Sequence, residues 1–348
     1  MFGKSFSKKV IFMLAMMIAM AGLTACGKKD GQAESEPVET VEAEEAAETE
    51  TAETEETEET EETAAEETAT EETETAENEE AETPAETEET AGTEAKGVTL
   101  EIGETVEKEL WTQTTVYPDN IDDTFVIDVM LPDDYDETIS YPVVYLTDCY
   151  WRRENYGEIK DLYESGKTKE FILVGIGYPD DYDFDTIRMR DLIEEPDKFL
   201  NLIITGVLPY AEENYNIDAT DRTLAGASCG GYFTLYSLLQ SDGLTKDVFK
   251  NYLLASAALT METNGEGIRD FEERYFENNS DLKANVYMTA GADEEMPYML
   301  RPNRKFVDRM EERNCPSLDL TYEEYEGKEH YTVWVPTLLA GLERFLAN

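Results

Sequence analysis

The sequence predicts an α/β fold: a mostly parallel central sheet, helices on both faces, and an antiparallel N-terminal edge. Three observations point there. From Gly97 onward, short apolar strand patterns alternate with longer amphipathic ones, and that alternation implies parallel strands joined by crossover helices. The first strand patterns have no helix between them, so that edge runs antiparallel. One stretch, Arg222 to Leu239, reads as strand, glycine-rich turn and helix with a serine at its apex.

Taken in order, strands are expected near Glu107 to Val116, Thr124 to Leu131, Tyr141 to Leu146 and Phe171 to Ile176. Turn residues such as Pro118-Asp119-Asn120 and Pro132-Asp133-Asp134 separate the first three. Pro196 opens a long helix to about Tyr215, with Phe199, Leu200, Ile203, Ile204, Val207 and Leu208 on its apolar side. The serine-bearing strand follows directly. Beyond its helix, Tyr252 to Leu259 and Ala284 to Thr289 read as buried strands. A helix near Arg301 to Arg313, a strand near Leu318 to Tyr325 and a helix from about Val333 to Ala347 complete the domain, residues 97–348. About 250 residues fit one α/β domain.

The front of the chain is unlike the rest. Lys4, Lys8 and Lys9 precede an apolar run from Val10 to Leu23 that is short for a membrane span and has the build of an export signal. It ends in Leu23-Thr24-Ala25-Cys26, which resembles the lipobox of bacterial lipoproteins. Residues 1–25 are thus expected to be a lipoprotein signal peptide, with Cys26 lipidated and anchoring the chain to the outer face of the cell membrane. Residues 26–96 are nearly all Glu, Thr and Ala. This stretch carries 28 glutamates, toward a formal net charge of −52. Little apolar surface and strong self-repulsion predict a disordered, extended tether, able to span on the order of 200 Å when stretched. An acidic ion- or receptor-binding tail is the other use of such a tract.

Composition also excludes. There is no basic patch to meet phosphates, so nucleic acid is not an expected partner. A single histidine makes a His-based metal site improbable, and no zinc spacing is present, so no metal is expected. Beyond Cys26 the chain holds Cys149, Cys229 and Cys315, an odd count that argues against a disulfide framework.

Chemistry concentrates at Gly226-Ala227-Ser228-Cys229-Gly230-Gly231. A Gly-x-Ser-x-Gly turn between strand and helix needs glycines because the serine is held in a strained conformation; in exchange its Oγ stands clear, and the next amide, that of Cys229, is aimed at a developing oxyanion. A serine nucleophile needs a base and an acid to orient it. The only histidine, His330, lies between the last strand and the last helix, where α/β-hydrolases place theirs, in the chain order Ser, acid, His. Between the two, the strand Ala284 to Thr289 ends in Ala290-Gly291-Ala292-Asp293-Glu294-Glu295, a cluster from which one carboxylate is expected to hold the histidine.

These features resemble the esterase family of α/β-hydrolases, the enterochelin-esterase-like and esterase-D-like group, from roughly Thr115 to the C-terminus. The likeness rests on Tyr141 to Asp148, Val174-Gly175-Ile176-Gly177-Tyr178-Pro179, Arg188-Met189-Arg190-Asp191-Leu192, Leu208-Pro209-Tyr210 and the Gly327 to Trp334 segment. It implies the acid three residues after the strand-end glycine, Glu294, with Asp293 as the alternative. It also implies an oxyanion amide after the third of these strands. Cys149 stands there in place of the family's glycine, and the amide of Tyr150 is expected to serve beside that of Cys229.

The implied reaction is acyl transfer through an acyl-enzyme, which requires no cofactor. Imidazole ordinarily titrates near neutral pH, so activity is expected to fall as pH drops through roughly 6 to 7. Trp151 and Tyr178, in segments bordering the site, are candidate substrate-binding residues for a small-molecule or glycan-linked ester. Two other readings fit the same residues: a tethered binding module that has lost catalysis, and a serine peptidase of the same fold.

Overall fold

The computed structural model describes residues 97–180 and 182–348. The expected signal peptide (1–25), lipidated Cys26 and tether (26–96) lie outside the described residues. Within them, a nine-stranded sheet forms from β1 (Leu100–Glu107), β2 (Thr112–Pro118), β3 (Phe125–Met130), β4 (Tyr141–Thr147), β5 (Ile172–Gly177), β6 (Ile217–Ala227), β7 (Asn251–Ala255), β10 (Ala284–Gly291) and β11 (Leu318–Tyr325). A two-residue hairpin, β8 (Glu262–Thr263) and β9 (Glu266–Gly267), stands apart.

The strand order is β1-β2-β3-β5-β4-β6-β7-β10-β11. The pairs β1/β2, β2/β3 and β3/β5 are antiparallel, and the rest of the sheet is parallel. This is the expected mixed sheet, with its antiparallel edge at the N-terminal side. The chain winds outward from β4 to β5, then crosses back to lay β6 on the other side of β4. That reversal opens a crevice at the carboxyl ends of β4 and β6, where open α/β sheets bind ligands.

The helices are α1 (Cys149–Arg152), α2 (Tyr156–Glu164), α3 (Phe184–Met189), α4 (Pro196–Leu202), α5 (Leu208–Asn214), α6 (Cys229–Leu238), α7 (Ile268–Asn278), α8 (Arg301–Arg313) and α9 (Trp334–Phe345). On one face, Ile159, Leu162 and Tyr163 of α2 and Trp334, Leu338 and Leu342 of α9 pack on Val144, Leu146, Leu173, Ala225 and Leu253. On the other, Phe233 of α6 meets Phe199 of α4 at 5.2 Å between ring centroids, and Tyr236 meets Phe271 of α7 at 5.0 Å. The alternation of side chains along each strand divides these two cores.

Several elements differ from expectation. The first strand pattern resolves into a hairpin, with β1 preceding Glu107. The segment Cys149 to Tyr156, for which the sequence suggested no helix, is α1, a single 3₁₀ turn and the start of α2. The helix from Pro196 is continuous to Asn214 but contains a π-helical turn at Ile203–Val207. Helix α7 has no counterpart in the sequence reading.

Candidate active site

Strand β6 delivers Ser228 at its carboxyl end. Its backbone sits at φ 58°, ψ −118°, a conformation that non-glycine residues rarely adopt. Backbone hydrogen bonds hold it there: Ser228 N–H donates to Ala255 O at 2.9 Å, and Ser228 O accepts from the N–H groups of Tyr232 and Ala258, both at 3.0 Å. Gly226 has no alternative, because a Cβ there would run into the carbonyl of Gly230. A Cβ at Gly230 would meet Thr147 Oγ1 of the neighbouring strand. Ser228 Oγ is sealed by the fold and makes no hydrogen bond, to His330 or to any other described residue.

Strand β10 ends at Gly291, and the chain turns so that Glu294 folds back over its own strand end. Glu294 Oε1 accepts from Gly291 N–H at 2.7 Å and from Ser256 Oγ, while Oε2 lies 3.2 Å from His330 Nδ1. Asp293 is exposed; its part is played by its backbone N–H, bonded to Lys328 O at 3.1 Å. That bond and Ala292 N–H to Tyr325 O at 3.0 Å strap the acid loop to the histidine loop. Gly291 permits it, since a Cβ would collide with the Lys328 carbonyl. Of the two carboxylates named from sequence, the structure therefore brings Glu294 to His330 and leaves Asp293 facing solvent.

The turn after β4 is built on Asp148, in the left-handed region at φ 60°. Arg188 grips its carboxylate with two bonds, Nε to Oδ1 at 2.7 Å and Nη2 to Oδ2 at 2.8 Å, both side chains being almost fully buried. The same Nη2 reaches the carbonyl of Ala227, next to the serine, at 3.4 Å. One guanidinium thus ties the Ser228 turn to the Asp148 turn. Cys149 is accommodated because Gly175 and Gly177 on β5 leave room for its side chain; a Cβ at Gly177 would lie 2.8 Å from its Sγ. Burial pushes the Cys149 thiol well above its usual range, so it stays neutral and serves as packing. Arg153 reinforces the turn from behind, its Nε bonded to buried Asp128 at 2.6 Å and its Nη1 to Asp180 at 2.5 Å.

Cys229 opens α6 and Tyr150 is the second residue of α1, so their amides lie in the first turns, where helical N–H groups lack intrahelical acceptors. Trp151 lies on Arg188, whose guanidinium carbon is 5.0 Å from its ring centroid. Tyr178 is a correction. Expected to contact substrate, it is 3% exposed, its hydroxyl bonded to Asp191 Oδ2 at 2.9 Å and its ring 5.5 Å from that of Phe125. The strand-end position was legible, but the side of the sheet that Tyr178 faces was not. Sequence reasoning missed the bond of Ser256 to Glu294 and the grip of Arg188 on Asp148, because they join residues 38 and 40 apart in the chain.

The Esterase family model matches residues 119–345, well over half of the chain and all of the geometry just described. The chain belongs to the esterase family. It is 25% identical over 256 residues to the ferri-bacillibactin esterase BesA of Bacillus subtilis, covering 64% of this chain and 84% of that one. Among solved structures, the BES protein from Bacillus cereus superposes with a TM-score of 0.60 at 23% identity, over 71% of this chain and 98% of the other. The siderophore hydrolase EstB from Aspergillus nidulans gives 0.57 at 20% identity, over 70% and 98%. At these identities the structures speak for the shared fold, and the family match makes carboxylic-ester hydrolysis the chemistry of this chain.

Proposed function

We propose that the protein is a serine esterase working through Ser228, His330 and Glu294, held by a lipid on Cys26 at the extracytoplasmic face of the membrane and carried away from it by its acidic tether. The observation that carries the catalytic part is the pairing of a strained serine turn at the sheet's reversal point with a histidine whose Nδ1 faces a buried carboxylate. Glu294 fixes the tautomer with Nδ1 protonated and leaves Nε2 as the base. Nε2 takes the Ser228 proton as Oγ attacks the ester carbonyl, and the amides of Cys229 and Tyr150 receive the oxyanion. The imidazolium then protonates the leaving alcohol, and water, activated the same way, releases the acid. Approach of His330 to Ser228 Oγ is the movement this mechanism requires, and catalytic hydrogen bonds commonly tighten only when substrate arrives.

The test is hydrolysis of short-chain p-nitrophenyl esters by the full-length protein beside Ser228→Ala and His330→Ala, with a fluorophosphonate probe in parallel. Turnover and labelling by the wild type, both lost in Ser228→Ala, support the reading. Probe labelling that survives in Ser228→Ala, or turnover equal in all three proteins, overturns it. Relatives named for ferri-bacillibactin and for siderophores make such an ester the first natural substrate to try.

A further inference from the structure

Around the site, basic side chains are matched to acids: Arg153 to Asp128 and Asp180, Arg188 to Asp148, Arg190 to Asp123 and Asp191. Arg152 is different. Its side chain makes no hydrogen bond or ion pair with any described residue, and its Nε is closed off from solvent without an acceptor. Its guanidinium carbon lies 4.5 Å from the ring centroid of Trp334. A chain with 80 acidic residues against 28 basic ones has no shortage of carboxylates to supply. Stacking on an aromatic ring leaves the edge of a guanidinium, with its fork of N–H donors, open to a planar anion.

The location gives this meaning. Arg152 is the last residue of α1, whose first turn carries the Tyr150 amide, and Trp334 opens the helix entered four residues after His330. The cation therefore bridges the oxyanion turn and the base loop. Burial lowers its pKa to about 10, against the pull of Asp148 and Glu154, so it remains charged at neutral pH while lacking a full counter-charge. A half-buried cation of this kind gains most from an anion that arrives with the water excluded.

We propose that Arg152 is a specificity residue that binds a carboxylate carried by the ester substrate, so that the enzyme prefers acidic esters to neutral ones of the same length. This deepens the esterase reading and rests on it. The test compares p-nitrophenyl hemiglutarate with p-nitrophenyl valerate, matched in chain length, in the full-length wild type, Arg152→Gln and Arg152→Lys. The quantity read is the ratio of the two kcat/KM values. The wild type is expected to favour the hemiglutarate, and Arg152→Gln to lower the ratio roughly 30-fold or more. Arg152→Lys, which keeps charge but loses the fork, should fall between. An unchanged ratio in Arg152→Gln overturns the proposal, whatever happens to the absolute rates. If Arg152→Gln does not fold, the lysine variant decides: a ratio lowered threefold or more supports the assignment, and an unaltered one refutes it. Calorimetric binding of monophenyl glutarate to Ser228→Ala, with and without Arg152→Gln, separates the two readings. Binding that depends on Arg152 while the wild type hydrolyses neither ester sinks the esterase mechanism and leaves the anion site standing; turnover of both esters without charge preference does the reverse.

Discussion

Replacing Glu294 by Gln changes one oxygen to a nitrogen, and the structure dictates which way the amide turns. Gly291 N–H and Ser256 Oγ both point at Oε1. The backbone donor cannot become an acceptor, so the glutamine oxygen must take that position and its NH₂ must face His330 Nδ1. Two N–H groups cannot share that hydrogen bond, so the imidazole shifts its proton to Nε2, the nitrogen required to accept from Ser228. The same tautomer trap in a serine protease costs about 10⁴ in kcat. With the longer 3.2 Å contact here, we expect a loss of roughly 10²–10⁴, or about 3–5 kcal/mol of transition-state stabilisation. Asp293→Asn, on an exposed side chain, should stay within about twofold, as surface changes do. The assay is p-nitrophenyl butyrate hydrolysis by full-length protein, with thermal melts showing that both variants fold. Retention of a third or more of the activity by Glu294→Gln, or an equal loss in Asp293→Asn, would refute the assignment.

Other perturbations follow from the same geometry. Arg188→Gln strands the buried Asp148 carboxylate, so stability should fall by about 3–5 kcal/mol and the melting temperature by about 6–15 °C; a melt within 2 °C of wild type would mean that Asp148 has another partner. Ser256→Ala removes one donor from Glu294 and should lower kcat about tenfold with KM little changed, which steady-state kinetics would show. Gly291→Ala forces the Lys328 carbonyl away and the histidine loop with it, so kcat should drop at least tenfold while far-UV circular dichroism stays native. Burial holds Tyr145, Tyr156, Tyr178 and Tyr252 well above the ordinary phenol range, and Tyr163 and Tyr232 at about 12. Folding favours their neutral forms, so this stability is complete below about pH 10 and is lost as pH rises through 12. Phenolate absorbance from this group should therefore appear together with loss of structure; smooth titration near pH 10 in a folded protein would contradict it.

The placement of Ser228 on a strand-to-helix turn and of His330 between the last strand and the last helix was legible because each signal is local: a turn motif, and a lone histidine in the right interval. The parallel strands β4, β5, β7 and β10 were legible for a related reason, being buried almost throughout and mostly apolar. Strand β1 was not, because Leu100–Glu107 is a mostly exposed edge in which only Leu100, Ile102 and Val106 are large and apolar. The grip of Arg188 on Asp148 could not be read, since it joins residues 40 apart, one just after β4 and the other on α3 beyond β5. Cys149 stands where the resemblance implies a glycine. In the structure the left-handed residue is Asp148, one position earlier, and the glycines that matter are Gly175 and Gly177 on the next strand.

The three parts of the site are fixed to different degrees, and this bears on how it works. The serine turn is held by three backbone hydrogen bonds, and the Asp148 turn by a buried bidentate ion pair. Both are therefore set before substrate arrives, as electrostatic stabilisation of an oxyanion demands. His330 is fixed less tightly: its ring is partly exposed beside exposed Tyr331, and among the described residues its side chain is tied by Nδ1 to Glu294. In the proposed mechanism, rotation about that tie carries Nε2 toward Ser228 and leaves the amides of Cys229 and Tyr150 in place. Arg152 lies against Trp334, at the start of the helix that follows His330. A carboxylate bound there would draw the oxyanion turn and the base loop onto the same substrate, and the binding energy of a group remote from the scissile bond would then be spent on aligning the base.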